Sequence, residues 1–287
     1  MAGGTWTNQN KVQPGVYINV KSKGNVTANI GDKGIVAIAE PLSWGPAETV
    51  QEILSGDDVK PYIGYDITNP KALFLREMMK GSDVSAGPIK ILLYRPKGSG
   101  GKKATVTSGA LTVTALYEGI RGNDISVIVQ EQADQAGIFD VSTVIDGTMV
   151  DEQAIKKLDD LKTNAWVTFE GTGTDITETA GVTLIGGTDP TISASDYAAF
   201  LAAIEPYQFD ILVYDGTDNT TMQAIAAFVR RISNTLGQKC QAVMADAHTV
   251  NSEWVISVNN GVRLSDGTVL TAQQATWWLG GAEAGAS

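Results

Sequence analysis

The chain has 287 residues, and its 32 acidic and 21 basic side chains give a formal net charge of −11 at pH 7. This negative balance argues against a broad nucleic-acid or anionic-membrane surface, because such surfaces need clustered lysine and arginine. A single cysteine and a single histidine exclude an internal disulfide framework, a cysteine-based zinc site and a multi-histidine metal site. The sequence has neither the apolar core of a signal peptide nor an apolar run of about 18 residues. We therefore expect a soluble, acidic protein of a reducing compartment.

The charge is distributed unevenly along the chain. Residues 1–100 carry 11 basic and 9 acidic residues, a net charge of +2. Residues 101–187 carry 6 and 13, a net of −7, and residues 188–287 carry 4 and 10, a net of −6. The middle third therefore differs from the first hundred residues and is a candidate inserted module.

Composition changes at both ends of this middle third. A Gly/Lys-rich stretch at 97–103 is typical of a linker. A second Gly-containing stretch, at 186–190, precedes a change from alternating to helical periodicity. We predict an N-terminal arm at 1–22, a discontinuous α/β domain at 23–98 and 188–287, and an inserted β domain at 99–187.

The N-terminal arm combines a polar leader with a short run of strand formers. Residues 1–13 are almost without apolar anchors, and Pro14-Gly15 leads into the run. Two interpretations remain open on these residues alone: a frayed terminus, or an exchanged strand that completes the sheet of a neighbouring molecule. The candidate strand consists of Val16, Tyr17, Ile18, Asn19 and Val20.

The remainder of the first hundred residues predicts two buried strands and a helix. Continuous apolar runs at 34–40 and 89–94 indicate strands that are covered on both faces. The helix is predicted over 72–79, beginning near Asn69-Pro70, and a turn is predicted at 44–46.

The middle third predicts antiparallel hairpins. Alternating runs at 104–107 and 111–115 flank Ser108-Gly109, and runs at 139–144 and 149–155 flank Asp146-Gly147. With further strands at 125–129 and 165–169, the simplest arrangement is a small antiparallel sandwich or open barrel.

The last hundred residues predict alternating strands and helices. Ser193 is a candidate N-cap for a helix whose apolar stripe ends at Ile204, and a second helix, over 222–236, ends at Gly237. Thr271 and Gln274 have the spacing of a capping box that opens a final helix through Trp277 and Trp278. Strands are expected at 209–214, 240–245 and 254–258, so the α/β domain is predicted to contain a mixed or mostly parallel sheet with helices.

The best candidates for chemistry are Asp215 and Asp246. Each follows a predicted parallel strand at its carboxyl end, the edge at which open α/β sheets bind ligands. Together with Thr217 they could hold Mg²⁺ or a nucleotide. The competing interpretation is that each aspartate caps a loop or the following helix.

Other chemistry-bearing residues give weaker signals. Cys240 lies among apolar residues and fits an inert core thiol better than a nucleophile. Asp246-Ala-His248 offers two metal ligands at most, and the Gly186-Gly187 pair before a helix lacks the lysine of a phosphate-binding loop. Of the adjacent Trp277 and Trp278, we expect one ring to be buried and the other to lie at an interface. We predict no catalytic constellation and no cofactor.

Several segments resemble the contractile phage tail sheath proteins, in the same order along nearly the whole chain. The N-terminal signature is Gln13-Pro14-Gly15-Val16-Tyr17-Ile18. The other segments are Gly34–Glu40 with Pro41 and Trp44-Gly45-Pro46, Tyr94-Arg95, Gly119–Asp124, Leu184–Asp189, Asp210–Asp215, Val258–Val262 with Asp266-Gly267, and Gly280–Gly285.

The resemblance implies a structural function. Such proteins assemble around an inner tube and contract to drive it through a cell envelope, in phage virions or in phage-tail-like bacteriocins assembled in the bacterial cytoplasm. It implies no cofactor, nucleic acid or membrane binding. The implied partners are further copies of the chain, in six-fold rings, with the tube protein, the baseplate and the tail terminator. On this basis residues 16–20 become the strand donated to a neighbour, and the acidic inserted domain faces outward. A type VI secretion sheath is a further structural possibility, although it usually consists of two chains.

One departure from the sheath pattern concerns the end of the chain. The family continues beyond the Gly/Ala-rich stretch into a C-terminal domain that receives the arms, whereas this sequence stops at Ser287. We therefore expect that domain to be absent and the chain alone not to form a full lattice.

Overall fold

A computed structural model describes residues 34–83 and 85–286. A six-stranded sheet organises the α/β part of the chain. Five strands run parallel, and the edge strand β2 is antiparallel to β3. The strands are β1 (Ile35–Ala39), β2 (Val50–Leu54), β3 (Lys90–Tyr94), β11 (Ile211–Tyr214), β12 (Gln241–Ala245) and β13 (Val255–Val258), in the spatial order β13-β12-β11-β1-β3-β2.

Helices cover both faces of this sheet, so its central strands read as continuous apolar runs. Ala37 and Leu212 point to a core shared with α3 (Ala194–Ile204) and α4 (Asn219–Arg231). Ile38 and Val213 point to the opposite core, which α2 (Leu73–Met79) and α5 (Ala272–Ala286) cover. The predicted α/β class with a mostly parallel sheet is confirmed.

Two smaller antiparallel sheets lie between β3 and α3 in the chain. They enclose one apolar core, to which Val113 and Val127 contribute, so the arrangement is a sandwich rather than an open barrel. One sheet has the order β4-β5-β9, with β4 (Lys103–Ser108), β5 (Leu111–Glu118) and β9 (Val167–Glu170). The other has the order β10-β6-β7-β8, with β6 (Ile125–Glu131), β7 (Phe139–Ile145), β8 (Thr148–Ile155) and β10 (Thr179–Thr183).

The predicted turn and cap signals are found where the sequence places them. Asp146 and Gly147 both have positive φ, 52° and 72°, as a two-residue hairpin turn requires. Ser193 forms a capping box with Asp196. Thr271 and Gln274 form another, with bonds of 3.1 and 3.3 Å between each backbone N–H and the other's side chain.

The sequence did not predict five short elements. These are β2, a short helix α1 (Lys60–Ile63), β10, and a small hairpin of β14 (Val262–Arg263) and β15 (Val269–Leu270).

The Gly/Ala-rich stretch after Trp278 continues α5 instead of ending it. Glycine here permits close approach: a Cβ at Gly281 would lie 1.8 Å from the Met78 carbonyl oxygen, and one at Gly285 1.8 Å from that of Ala86. Packing against α2 and against the loop that contains Ala86 therefore outweighs the low helix propensity of these glycines.

Candidate functional site: the junction between sheet and sandwich

The chain enters and leaves the sandwich through two connections that pair with each other. Ser99 pairs with Thr191, Lys102 with Thr188 and Thr105 with Ile185, all antiparallel and in one continuous register. Six backbone hydrogen bonds of 2.8 to 3.1 Å join the two connections. The stretch predicted as a flexible linker is therefore a ribbon, held to the return connection by backbone hydrogen bonds at Ser99, Lys102 and Thr105.

The side chain of Trp44, which belongs to the α/β part of the chain, is buried in the core of the sandwich. It follows β1 by five residues, and its side chain is 1% exposed. The indole packs 5.2 Å from the ring of Tyr117 and 5.0 Å from that of Trp166, centroid to centroid. A loop of one part therefore fills the core of the other.

Arg95 joins three backbone segments at the start of the ribbon. Its Nε donates to the Leu42 carbonyl at 2.9 Å, Nη1 to that of Gly45 at 2.6 Å and Nη2 to that of Glu118 at 2.8 Å. Burial lowers the pKa of Arg95, and the nearby Glu118 carboxylate opposes that shift. A guanidinium has the fixed fork of donors that three carbonyls in different directions require.

Arg121 forms a second clamp between the α/β part and the sandwich. Its side chain is 2% exposed, and Nε donates to the Gly64 carbonyl at 2.9 Å in the α/β part. Within the sandwich, Nη1 donates to Asp124 and Asp146, each at 2.9 Å, while Nη2 donates to the other oxygen of Asp146. The guanidinium carbon also lies 4.2 Å from the centre of the Tyr65 ring.

The return connection is fixed by amide and carboxylate side chains. The Asn123 side chain exchanges hydrogen bonds with Gly187, donating at 3.0 Å and accepting at 2.8 Å. Asp189 accepts from the Ser43 hydroxyl at 3.0 Å and from the Ile120 backbone N–H at 2.9 Å. These contacts use the groups of the 186–189 loop that were considered for phosphate binding.

Glycine is required where the backbones cross. Gly45 has φ +98°, and a Cβ there would lie 2.0 Å from the Tyr62 carbonyl oxygen. Gly119 has φ +128°, and a Cβ there would lie 2.0 Å from the Ser43 carbonyl oxygen. Neither position accepts a side chain without backbone movement.

Asp215 and Asp246 follow the neighbouring strands β11 and β12, and each accepts a hydrogen bond from a side chain of α5. Asp215 accepts from the Trp277 indole N–H at 2.9 Å. Asp246 has φ +50°, accepts weakly from the Gln273 amide at 3.4 Å and lies 3.8 Å from the His248 imidazole. Among residues 34–83 and 85–286, no group of three or more His, Cys, Asp or Glu side chains is arranged to hold a metal ion.

The surroundings of the other candidate residues indicate structural roles. Cys240 is buried, and burial raises the pKa of its thiol against the lowering effect of the Ser233 hydroxyl. Trp277 is 8% exposed, and Trp278, partly buried, donates to the Gly81 carbonyl at 2.8 Å. The candidate exchange strand, residues 16–20, lies outside the described residues. No described helix is long and apolar enough to span a bilayer.

Comparisons with known proteins match this organisation segment by segment. The family model described as the phage tail sheath protein beta-sandwich domain matches residues 99–189, and the phage tail sheath protein central domain matches 191–287. The tail sheath protein Gp18 domain III N-terminal region matches 33–95. The chain belongs to the phage tail sheath family.

Curated relatives and solved sheath structures agree with this placement. The phage-like element PBSX protein XkdK and the uncharacterized protein YqbK, both of Bacillus subtilis (strain 168), are each 36% identical over 307 residues, which cover all of this chain. The sheath tail protein of Desulfitobacterium hafniense superposes with a TM-score of 0.84 at 42% identity, covering 94% of this chain and 62% of that one. The Listeria innocua sheath tail protein gives 0.77 at 34%, covering 90% and 57%. This sheath chain spans 64% of the length of the curated relatives.

The residues that build the junction come largely from the segments in which the resemblance was found. Trp44-Gly45, Arg95, Gly119–Asp124 and Gly187–Asp189 all lie there. The sequence alone gives Arg95 and Arg121 no role of their own. The local signal at Arg121 is its place between Gly119 and Gly122, just after the alternating strand β5, and an arginine that is buried there needs a partner. In this sheath chain both arginines hold the two parts of the subunit together.

Proposed function

We propose that this chain is a structural subunit of a contractile tail sheath, which polymerises around an inner tube and contracts to drive the tube through a cell envelope. The observation that carries the proposal is the match of three sheath domains to 33–95, 99–189 and 191–287 of one chain. The clamped junction between sheet and sandwich supports it, because a subunit that transmits force has to move as one body.

The proposal assigns different tasks to the parts of the subunit. The discontinuous α/β domain, 23–98 and 188–287, forms the subunit body, and the inserted domain, 99–187, lies toward the outside of the tail. The arm, 1–22, donates residues 16–20 to the sheet of a neighbouring subunit, because backbone pairing along a strand edge keeps subunits tethered while they rotate. The energy for contraction lies in metastable subunit contacts, so no cofactor is required.

The proposed partners follow from this arrangement. They are further copies of the chain in six-fold rings, the inner tube protein, the baseplate and the tail terminator, in a phage virion or a bacteriocin particle assembled in the bacterial cytoplasm. Nucleic acid and membranes are not among the proposed partners.

Electron microscopy of the purified chain tests the proposal. We would compare the chain alone with a version extended by the C-terminal third of the XkdK relative, and with that extended version lacking residues 1–22. Tubes from the extended version, and loss of their lateral connectivity without the arm, are the expected results. Failure of a well-folded extended version to assemble would count against a sheath role.

The alternative function is an α/β enzyme that binds a metal or nucleotide through Asp215 and Asp246. The paired variants Asp215→Asn and Asp246→Asn separate the two functions. Introduced into the extended version, both substitutions leave the assembly of a sheath subunit intact, whereas an enzyme loses Mg²⁺ or nucleotide binding, measured by titration calorimetry. The hydrogen bonds that α5 makes to both aspartates favour the structural role.

A further inference from the structure

Glu40 and Asp215 meet at the carboxyl edge of the main sheet. In the parallel ladder of β1 and β11, Val36 pairs with Ile211 and Ile38 with Val213. Two residues further along each strand, the same register places Glu40 opposite Asp215, on the face that Ile38 and Val213 share with α5. The fold therefore brings two carboxyl groups together under one helix.

The two carboxyl groups contact each other but no cation. Their side chains lie within hydrogen-bonding reach of each other. Glu40 Oε2 has no access to solvent and no hydrogen-bond donor next to it, while Asp215 accepts from Trp277 of α5. Among the ion pairs of the described residues, none includes either group.

A hydrogen bond between two carboxyl groups requires a proton, because two carboxylates are both acceptors and repel each other. Asp215 already accepts the Trp277 N–H, an arrangement that favours its charged form. The proton therefore belongs on Glu40, which donates it to Asp215.

We propose that Glu40 and Asp215 share one proton, carried by Glu40 at neutral pH, and that loss of this proton loosens the packing of α5 on the sheet. This inference goes beyond the sheath role and does not depend on it. It makes the end of the subunit body responsive to alkaline pH.

The surroundings of the pair favour this arrangement. Burial raises the pKa of Glu40 well above its usual range, and the charge of Asp215 and its hydrogen bond raise it further. Burial also raises the pKa of Asp215, against the opposing hydrogen bonds from Trp277 and Glu40. The register of β1 with β3 also places Arg95 opposite Glu40, but its guanidinium donates to the carbonyls of Leu42, Gly45 and Glu118 and forms no ion pair with Glu40. The other titratable groups that interact with the pair are Tyr197 of α3 and Tyr214 of β11, with Asp196 and Asp218 beyond them, and none of these is a cation.

The direction of the pH effect follows from linkage. A carboxyl whose pKa is higher in the folded than in the unfolded chain holds its proton longer in the folded state. Its stabilising contribution is complete below the ordinary pKa of 4.5 and is lost as the pH rises through the folded value. Within that window the unfolding constant rises about tenfold per pH unit for one proton.

Glu40→Gln is the decisive variant, because the amide donates one N–H to Asp215 and cannot ionise. Urea unfolding of the full chain would be measured from acid to alkaline pH. The wild-type unfolding constant should rise with pH relative to that of Glu40→Gln, while the matched control Glu170→Gln, at an exposed position, should follow the wild type. Protection factors of the α5 amides, which correct for the base-catalysed rise of intrinsic exchange with pH, should fall with pH in the wild type and stay constant in Glu40→Gln. Parallel pH curves for wild type and Glu40→Gln would overturn the proposal.

A second measurement does not depend on the variant's folding. Infrared spectroscopy of the wild-type chain at pH 7 should show the C=O stretch of one protonated, buried carboxylic acid, which disappears at alkaline pH. Absence of this band at pH 7 would show that both groups are ionised and would refute the shared proton. Asp215→Asn should shift the loss of the band to lower pH, because the proton on Glu40 is then no longer held by a negative partner.

Discussion

Arg121 binds both carboxylate oxygens of Asp146, although 25 residues and the whole of β6 and β7 separate them in the chain. The pair holds the β7–β8 turn against the segment that contains Arg121. Through its Nε, the same guanidinium donates to the Gly64 carbonyl in the α/β part. One side chain thus couples a hairpin tip, a loop and a neighbouring domain.

The first prediction concerns the geometry of this clamp. Arg121→Lys keeps the charge but cannot form the planar fork, so the Asp146 and Gly64 contacts cannot both be satisfied. We expect a loss of about 1–3 kcal/mol in the free energy of unfolding, measured by urea denaturation. Arg231→Lys is the matched control: its exposed pair with Glu205, also two bonds, should contribute much less. Equal losses in the two variants would contradict the assignment.

The second prediction is the pH dependence of the same clamp. The hydrogen bonds from Arg121 lower the pKa of Asp146 below its ordinary 3.8, so the stability that the pair contributes is present above that value and is lost as the pH falls through the native one. Asp146→Asn removes the charge and tolerates the positive φ. The difference in urea midpoint between wild type and Asp146→Asn should be largest near neutral pH and should shrink in acid. A difference that stays constant down to acid pH would argue against the ion pair.

Gly119 provides the third prediction. Gly119→Ala adds a methyl group that clashes with the Ser43 carbonyl, in a backbone conformation that already costs about 1–3 kcal/mol for a side chain. Gly56→Ala tests the conformational cost alone, since φ there is +96° and nothing lies within 4 Å of an added Cβ. We expect Gly119→Ala to lower the melting temperature clearly more than Gly56→Ala, by calorimetry. If the two variants melt together, the close approach of the backbones does not limit the fold.

Trp44 provides the fourth prediction. Trp44→Ala removes the side chain that fills the space between Tyr117 and Trp166, at an expected cost of about 3–5 kcal/mol. Limited proteolysis should then cleave the ribbon at 99–105 before the main sheet is lost. Met149→Ala, at a position 54% exposed, should change stability by less than about 0.5 kcal/mol.

Local signals in the sequence correctly predicted the features that are determined by residues close together in the chain. The capping boxes at Ser193 and Thr271 and the Asp146-Gly147 turn are formed as expected, because each is decided within four residues. Long-range packing decided what was missed. The glycines of α5 indicate a loop by propensity, and only their approach to Met78 and Ala86 makes them helical.

The candidate site shows the same division. That Asp215 follows a strand was predictable, but its contacts with Glu40 and Trp277 depend on the register of β1 with β11 and on the docking of α5. Arg95 donates to carbonyls 53, 50 and 23 residues away, and no sequence pattern marks a carbonyl oxygen as an acceptor.

The paired connections at 99–105 and 185–191 also make the sandwich removable. Because Ser99 and Thr191 lie side by side, the chain leaves the α/β part and returns to it at almost the same point. A few residues could close that gap without moving either end of the sheet. This deletion would succeed only if Trp44 were also replaced by a polar residue, because removal of the sandwich would expose its indole to solvent. The two parts can therefore be separated by one deletion in the sequence, but in the folded protein their side chains pack into a common core.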